Sequence, residues 1–273
     1  MATFLELCQA VAAESGTIHG VQPATTTGQT DRLGLIVGWV RQAWVDIQNS
    51  ADWRFLYRDF TQAGVVRLVQ GQRTYTGKLL RSDFARWVLA DPLNGTGMTA
   101  DPGERGDRSG EFELFPMDYE AYRRTHQFVV GDEQGVPRNV AVNYENDLVV
   151  GPIPDRTYVL RGPYVRAPQM LGKDADGNDL SQPDEDVPIM PAQYHEAIKW
   201  KALRLLGEFD EADTLVLQTA DINYRSYASA MRRDLLRRGG PYIDTEGGLG
   251  GSLGGRSFGT GVFGPPPTAG FGA

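Results

Sequence analysis

Residues 31–49, DRLGLIVGWVRQAWVDIQN, carry the clearest secondary-structure signal in this chain. Thr30 or Asp31 is suited to cap a helix that begins here. Apolar side chains recur at helical spacing and form one stripe: Leu33, Ile36, Val37, Val40, Trp44 and Ile47. Trp39 and Trp53 lie close to this stripe, so we expect the helix to pack against more than one neighbour.

Helical patterns also occur near both ends of the chain. Thr3 and Glu6 have the spacing of a capping box, which predicts a helix that Gly16 ends. Pro191 suits the first turn of another helix, which runs through Leu206 and is broken at Gly207.

A last, long helix is predicted from Ala212 to Arg238, before Gly239 and Pro241. Its apolar side contains Leu217, Ala220, Tyr224, Tyr227, Met231 and Leu235.

Between these helices the hydrophobic period changes to alternation, which predicts short strands in a small sandwich or barrel. The strands are expected within residues 66–69, 73–75, 84–89, 111–114, 140–142, 148–150 and 158–160. Residues 91–110 are predicted to form a long polar loop.

The predicted fold class is therefore α+β. Helices from both chain ends form a four-helix bundle, an all-β, sandwich-like domain is inserted between them, and a glycine-rich tail extends from the end. The expected divisions are residues 1–58, 59–188, 189–240 and 241–273.

Composition excludes several classes of protein. Apolar residues make up 41 % of the 273, enough for a core, and the net charge of −8 disfavours sequence-independent binding to nucleic acid. Cys8 is the single cysteine, so no intrachain disulfide can form, and we expect it to be a buried thiol. No signal peptide and no membrane span are expected, which predicts that the chain is made and folded in a reducing cytoplasm.

Candidate chemical sites are weak. Asp174, Asp176, Asn178 and Glu185 lie at EF-hand ligand positions, but Asp179 stands where the essential glycine belongs, which favours a surface turn over a cation site.

The histidines His19, His126 and His195 have no metal-ligand spacing, and His195 is expected to pack at a helix start. Carboxylates at positions 208, 210, 211 and 213 are explained by a helix start. The sequence predicts no catalytic residue, no metal and no cofactor.

The arginines Arg232, Arg233, Arg237 and Arg238 admit three interpretations. They can be the ordinary basic end of a helix, a docking patch for an acidic partner, or a phosphate-binding patch. The last fits an acidic protein least.

The tail beyond Pro241 contains 11 of the 33 glycines, and alone it should be a flexible coil. Yet larger side chains recur along it: Leu249, Leu253, Arg256, Phe258, Phe263 and Phe271. Apolar anchors on a flexible chain are typical of a peptide that binds in the pockets of a partner, and this tail could extend on the order of 100 Å.

Residues 135–206 resemble the head-to-tail adaptor (connector) proteins of tailed bacteriophages. The resemblance rests on Gly135-Val136-Pro137, the segment from Leu148 to Asp155, Tyr158 to Leu160, Tyr164, Pro168, Leu171, the acidic turn, Pro191, His195, Ala197 and Ile198. The opening segments FLELCQ, GQTDRL, WVRQAWVDIQ and DWRFL are also similar to the start of such proteins.

The resemblance implies a virion protein that forms a ring of twelve copies at the portal vertex, between the portal protein and the tail or nozzle proteins. It implies that the C-terminal tail docks on the portal and that genomic DNA passes through the ring without specific recognition. Two alternatives stay open: a tail module that binds host glycan through exposed aromatic residues such as Trp87, and a cell-wall hydrolase.

Overall fold

The computed structural model describes residues 1–15, 22–60, 66–89, 97–103, 108–129, 132–210 and 214–236. The chain divides into two units, Met1–Gly240 and Pro241–Ala273, and every described residue belongs to the first. The described part is a mixed α+β structure, as predicted, with six helices and four sheets.

Four of the described helices are long. They are α1 (Phe4–Glu14), α2 (Asp31–Asn49), α5 (Glu196–Asp210) and α6 (Thr214–Leu235). The short helix α3 (Gly77–Leu80) and the helix α4 (Tyr119–Tyr122), which widens into a π-helical turn at Arg123–Val129, lie between them in the sequence.

The predicted starts of the first two helices are confirmed. The Thr3 side chain accepts from the Glu6 amide at 3.2 Å, and the Glu6 carboxylate accepts from the Thr3 amide at 2.9 Å, which completes the capping box. Helix α2 begins at Asp31, and Thr30 occupies the cap position without a side-chain hydrogen bond to the helix. Gly16 lies outside the described residues.

Helix α5 begins at Glu196, after a separate 3-10 turn at Ala192–Tyr194 that Pro191 precedes. Ala212, the predicted start of the last helix, lies outside the described residues.

The four long helices share one hydrophobic core, and α5 packs against α1, α2 and α6. Trp53 and the side chain of Cys8 are buried in this core, as expected for the thiol. The helical side chains that this core fully encloses include Phe4, Leu7, Val11, Ile36, Val40, Trp44, Ile47, Ala197, Ile198 and Ala202.

The prediction that Gly207 ends a helix is wrong, because α5 continues through it to Asp210. A glycine inside a helix costs only about 1 kcal/mol relative to alanine. Packing on both sides of it outweighs that cost: Leu206 is buried, and the Phe209 ring contacts Trp39 at 5.6 Å.

The strands form two larger sheets and two smaller ones. One larger sheet has the order β3 (Thr74–Thr76), β10 (Asp147–Gly151), β9 (Asn139–Val142) and β7 (Phe115–Pro116). The other has the order β2 (Val66–Leu68), β12 (Tyr158–Arg161), β5 (Thr99–Asp101) and β6 (Phe112–Glu113).

A three-stranded antiparallel sheet has the order β1 (Tyr57–Asp59), β13 (Pro163–Arg166) and β4 (Phe84–Trp87). The short strands β8 (Gln134–Gly135) and β11 (Ile153–Pro154) pair in parallel. All seven strands predicted from the alternating pattern are therefore present, although their bounds differ by a few residues.

Two predictions about the inserted segment are wrong. It is not all-β, because α3, α4 and the π-helical turn lie within it, with Tyr122 buried against β9 and β10. Residues 91–110 are not one loop, because β5 lies among them. Met98 and Ala100 are buried in the core, and Asp101 forms a 2.9 Å ion pair with Arg161. The polar composition of this stretch did not predict these contacts.

Candidate docking surface

The predicted basic cluster lies partly on the last turn of α6. Arg232 and Arg233 stand there, where a positive charge complements the partial negative charge of a helix C-terminus. The Arg233 guanidinium is exposed, with its Nε 3.4 Å from Asp234 Oδ1. Such an exposed pair contributes little to stability. The Arg233 side chain can therefore turn towards a partner at small cost.

The end of α6 is held firmly against the helical core. The Tyr194 hydroxyl donates to Asp234 Oδ2 at 2.5 Å, which raises the pKa of the tyrosine and lowers the pKa of the carboxyl. The next residues bring Leu236 into an antiparallel backbone pair with the buried Trp53, whose Nε1 donates to Ile47 O at 2.6 Å. The place where the chain leaves α6 is thus set by buried contacts.

Only two of the ten predicted partner-binding residues, Arg232 and Arg233, are brought together by the described structure. The others lie outside the described residues: Arg237, Arg238, Leu249, Leu253, Arg256, Phe258, Phe263 and Phe271.

The acidic loop is a turn whose carboxylates bind the protein's own backbone. Asp174 accepts from the amides of Asp176 and Asn178, at 3.0 and 2.8 Å, and hydrogen bonds from Asn178 hold its pKa below the ordinary value. Asp184 accepts from the amide and hydroxyl of Thr26 at 2.6 and 2.5 Å. Among the described residues, no group of three or more His, Cys, Asp or Glu is arranged to hold a metal ion.

The two described histidines are buried. His195 Nδ1 accepts from the Ala2 amide at 3.2 Å, and its Nε2 lies 3.1 Å from Met190 O, so it packs at the start of α5 as predicted. His126 lies in the π-helical turn with Nε2 3.3 Å from Asn139 Oδ1. His19 lies outside the described residues.

The expected glycan platform is contradicted at the residue named for it. Trp87 is 7 % exposed, and its Nε1 donates to Asn146 O at 2.9 Å. Its ring contacts Phe60 and Phe84 in the core of the inserted segment, at 5.4 and 4.6 Å.

The sequence interpretation missed the outer face of α6. Leu215 and Ile222 are 68 % and 67 % exposed on the side of the helix opposite its buried residues. Their spacing of seven residues places them two turns apart on one face. The sequence contains this spacing, but the more continuous apolar stripe of tyrosines and methionine on the inner face was the one assigned to packing.

The sequence interpretation also missed a cleft of about 310 Å³, which residues of the segment 166–177 form together with Asp83. Asp83 and Arg166 contribute from the three-stranded sheet, and residues 167–170, 173–175 and 177 complete the lining.

No helix in the described part of the chain is long and apolar enough to cross a membrane.

Comparison with known proteins identifies the family of the chain. No curated protein matches the chain. The family model described as SU10 adaptor protein matches residues 2–244, which includes every described residue except Met1. The resemblance seen in the sequence is confirmed, and the chain belongs to the SU10 adaptor protein family, a family of bacteriophage structural adaptors.

Proposed function

We propose that this protein is the head-to-tail adaptor of a tailed bacteriophage virion. Copies of it form a ring, with twelve as the expected number, between the portal protein and the tail or nozzle proteins at the portal vertex. Genomic DNA passes through the ring without specific recognition, and the role is structural rather than catalytic. The observation that carries the proposal is the family match over residues 2–244.

The proposal includes a division of the chain by task. The four long helices form the bundle of the ring, residues 59–188 form the inserted domain, and residues 241–273 dock on the portal. The shared core of α1, α2, α5 and α6 supports the first part, because one helix, α5, contacts the other three. The fixed exit at Leu236 supports the last, since a tail that leaves from a rigid point reaches the same place on its partner in every copy.

Arg232 and Arg233 support portal docking by their position beside this exit. They carry two positive charges on a chain whose net charge is −8. A local positive patch on an acidic protein orients its encounter with an acidic surface. This electrostatic attraction weakens as the salt concentration rises.

Light scattering of the purified protein, alone and with a purified portal ring, tests the proposal. We expect a large stoichiometric complex with the portal. Deletion of residues 245–273 should abolish attachment while the thermal unfolding of the remaining chain stays unchanged. A deletion variant that still attaches would refute docking by the tail.

A finer test separates the anchors from the length of the tail. Substituting Leu249, Leu253, Phe258, Phe263 and Phe271 by serine keeps the chain length and removes the apolar side chains. Ordering a flexible segment costs about 1 kcal/mol per residue or more, so without buried anchors attachment should be lost. Arg232→Glu with Arg233→Glu should weaken attachment at low salt. Arg67→Glu with Arg124→Glu, at two exposed arginines outside α6, is the charge-matched control.

The glycan-binding alternative retains one supporting observation. Tyr144 is strongly exposed, its ring meets Tyr119 edge-on at 5.2 Å, and its hydroxyl donates to Glu120. An exposed aromatic ring can stack on the face of a sugar, and a carboxylate beside it can accept hydrogen bonds from the sugar hydroxyls. A glycan array with the whole protein and a Tyr144→Ala variant tests it; binding that requires Tyr144 would favour this function over the adaptor.

A further inference from the structure

The outer face of α6 carries two exposed aliphatic side chains, two helical turns apart. Leu215 and Ile222 leave most of their surface in water, and Phe209 at the end of α5 is also exposed. Arg225 follows Ile222 by three residues on the same face, and its Nε lies 2.9 Å from Asp221 Oδ2 of the same helix. This face offers two aliphatic side chains and a cation at fixed spacing.

The cleft beside β13 has complementary properties. Its volume of about 310 Å³ is at the lower end of ligand pockets, which suits one or two side chains better than a cofactor. Ala167, Pro168 and Met170 supply apolar lining, and Met170 is 43 % exposed. The adjoining turn, residues 173–179, carries one lysine and three aspartates, so its net charge is negative.

The face and the cleft are distinct surfaces of one chain. On α2, Trp39 contacts Phe209 of α5, whereas Gln48 bonds the backbone of Gln169 at the cleft at 2.8 and 2.9 Å. Trp39 and Gln48 are nine residues apart, so the end of α5 and the cleft segment contact opposite sides of α2, a helix of 3.6 residues per turn. On α6 the exposed face is opposite to the buried residues of that helix, such as Met231. The two surfaces share no residue, as a head-to-tail contact requires.

We propose that the α6 face of one copy, with Leu215, Ile222 and Arg225, inserts into the cleft of a second copy. Two different complementary surfaces on one chain produce a head-to-tail contact, and such a contact closes into a ring when its rotation allows. The apolar side chains fill the cleft beside Met170, and Arg225 faces the negative turn. This inference rests on the proposed function, since it names the contact that builds the ring.

Cysteine crosslinking of the whole protein tests the pairing. Ile222→Cys and Met170→Cys are made as separate single variants, and the native Cys8 does not interfere because it is fully buried. Each variant and their equal mixture are assembled with a purified portal ring and treated with a short bis-maleimide. We expect the mixture to give at least ten times more crosslinked dimer than either variant alone.

Every other pattern overturns the inference. Equal crosslinking of Ile222→Cys alone would mean that two α6 faces meet each other. Crosslinking between Ile222→Cys and Phe258→Cys within one chain would mean that the tail covers the face. A ring that attaches to the portal without the mixed crosslink would refute this contact and leave the adaptor function standing, whereas failure of the wild-type chain to assemble with the portal would refute both.

A second measurement does not depend on crosslinking. Ile222→Asp should weaken self-association at least tenfold in sedimentation experiments, with an unchanged melting temperature. Leu79→Asp is the matched control, because Leu79 is 87 % exposed on α3, outside both surfaces. Equal effects of the two substitutions would contradict the assignment of the face.

Discussion

Gln48 provides the sharpest test of how the inserted segment is attached to the helices. This side chain is buried in α2, and it bonds the backbone of Gln169 in both directions. Gln48 Oε1 accepts from the Gln169 amide at 2.8 Å, and Nε2 donates to the Gln169 carbonyl at 2.9 Å. Gln169 follows β13 closely, so these two bonds join α2 to the strand's exit.

The substitution Gln48→Leu removes both bonds and nearly preserves the side-chain volume. It leaves the amide and the carbonyl of the half-buried Gln169 without these partners, and a polar group that loses its bond in a site shielded from water costs about 1–3 kcal/mol. Because leucine fills most of the space, little is added for a cavity. We expect a loss of about 3 kcal/mol in the free energy of unfolding, which lowers the melting temperature by roughly 6–12 °C for a unit of this size.

Thermal and urea unfolding followed by circular dichroism measures this loss. Gln42→Leu is the matched control on the same helix, because the Gln42 amide donates to Asp46 at 2.6 Å in an exposed pair. Its loss should cost less than about 0.5 kcal/mol. If Gln48→Leu unfolded at the same temperature as Gln42→Leu, the reasoning from buried backbone partners would be refuted.

Three further predictions concern ionisable groups. Burial raises the pKa of Tyr122 to about 12, so the stability that it contributes is complete below its ordinary value of 10.0 and is lost as the pH rises towards 12. The free energy of unfolding of Tyr122→Phe should therefore fall less steeply over that pH range than that of the unsubstituted protein. Near neutral pH the substitution should cost about 1 kcal/mol, because the hydrogen bond to Val150 O is lost. Burial likewise raises the pKa of Cys8 from 9.0 to about 12, which lowers the thiolate fraction at pH 8 by about 1000-fold, so iodoacetamide should alkylate the folded chain about 1000-fold more slowly than the chain in urea, as followed by mass spectrometry; rapid alkylation of folded protein would contradict its burial. Burial acts to raise the pKa of Asp184, but the hydrogen bonds from Thr26 outweigh it and lower the pKa, so the stabilisation is present above 3.8 and is lost as the pH falls through the folded value. Asp184→Ala should thus cost about 1–2 kcal/mol at pH 7 and almost nothing in strong acid, and an equal cost at both pH values would count against this role.

The local sequence pattern predicted the secondary structure correctly where tertiary contacts favour the same structure as the local sequence. The capping box at Thr3 and Glu6 and the apolar stripe of α2 indicated those helices, and short apolar runs between turn residues indicated β9 and β10, whose central residues are buried. The same reasoning identified His195 as a packing residue at a helix start, since it lies beside apolar residues and has no second ligand at metal spacing.

Prediction failed where tertiary partners reversed the local preference. Gly207 stays helical because α5 is packed on several sides, and β5 forms from a glycine-rich, polar stretch because β12 and β6 pair with it on either edge. For the docking surface, the arginines at the end of α6 were found from charge alone. The α6 face and the cleft were not, because the exposed side of α6 depends on which side α5 covers, and the cleft depends on how the segment 166–177 packs beside Asp83.

The acidic segment shows how one charged run can serve two structural purposes. Its first half, around Asp174, is an exposed turn, whereas Asp186 in its second half is a junction. The Asp186 carboxylate accepts from the Gly172 amide at 2.8 Å and from Gln169 Nε2 at 3.1 Å, and its carbonyl accepts from the Phe4 amide at 2.8 Å.

These bonds connect the start of α1 to the segment that leaves β13. Together with the bonds of Gln48, they hold the Gln169 segment at the edge of the helical core from two sides. The cleft is lined by that same segment, so its shape depends on contacts made by α1 and α2 rather than on the inserted sheets alone. A surface proposed to receive a neighbouring copy is therefore braced by the helical core, which is what a contact repeated identically around a ring requires.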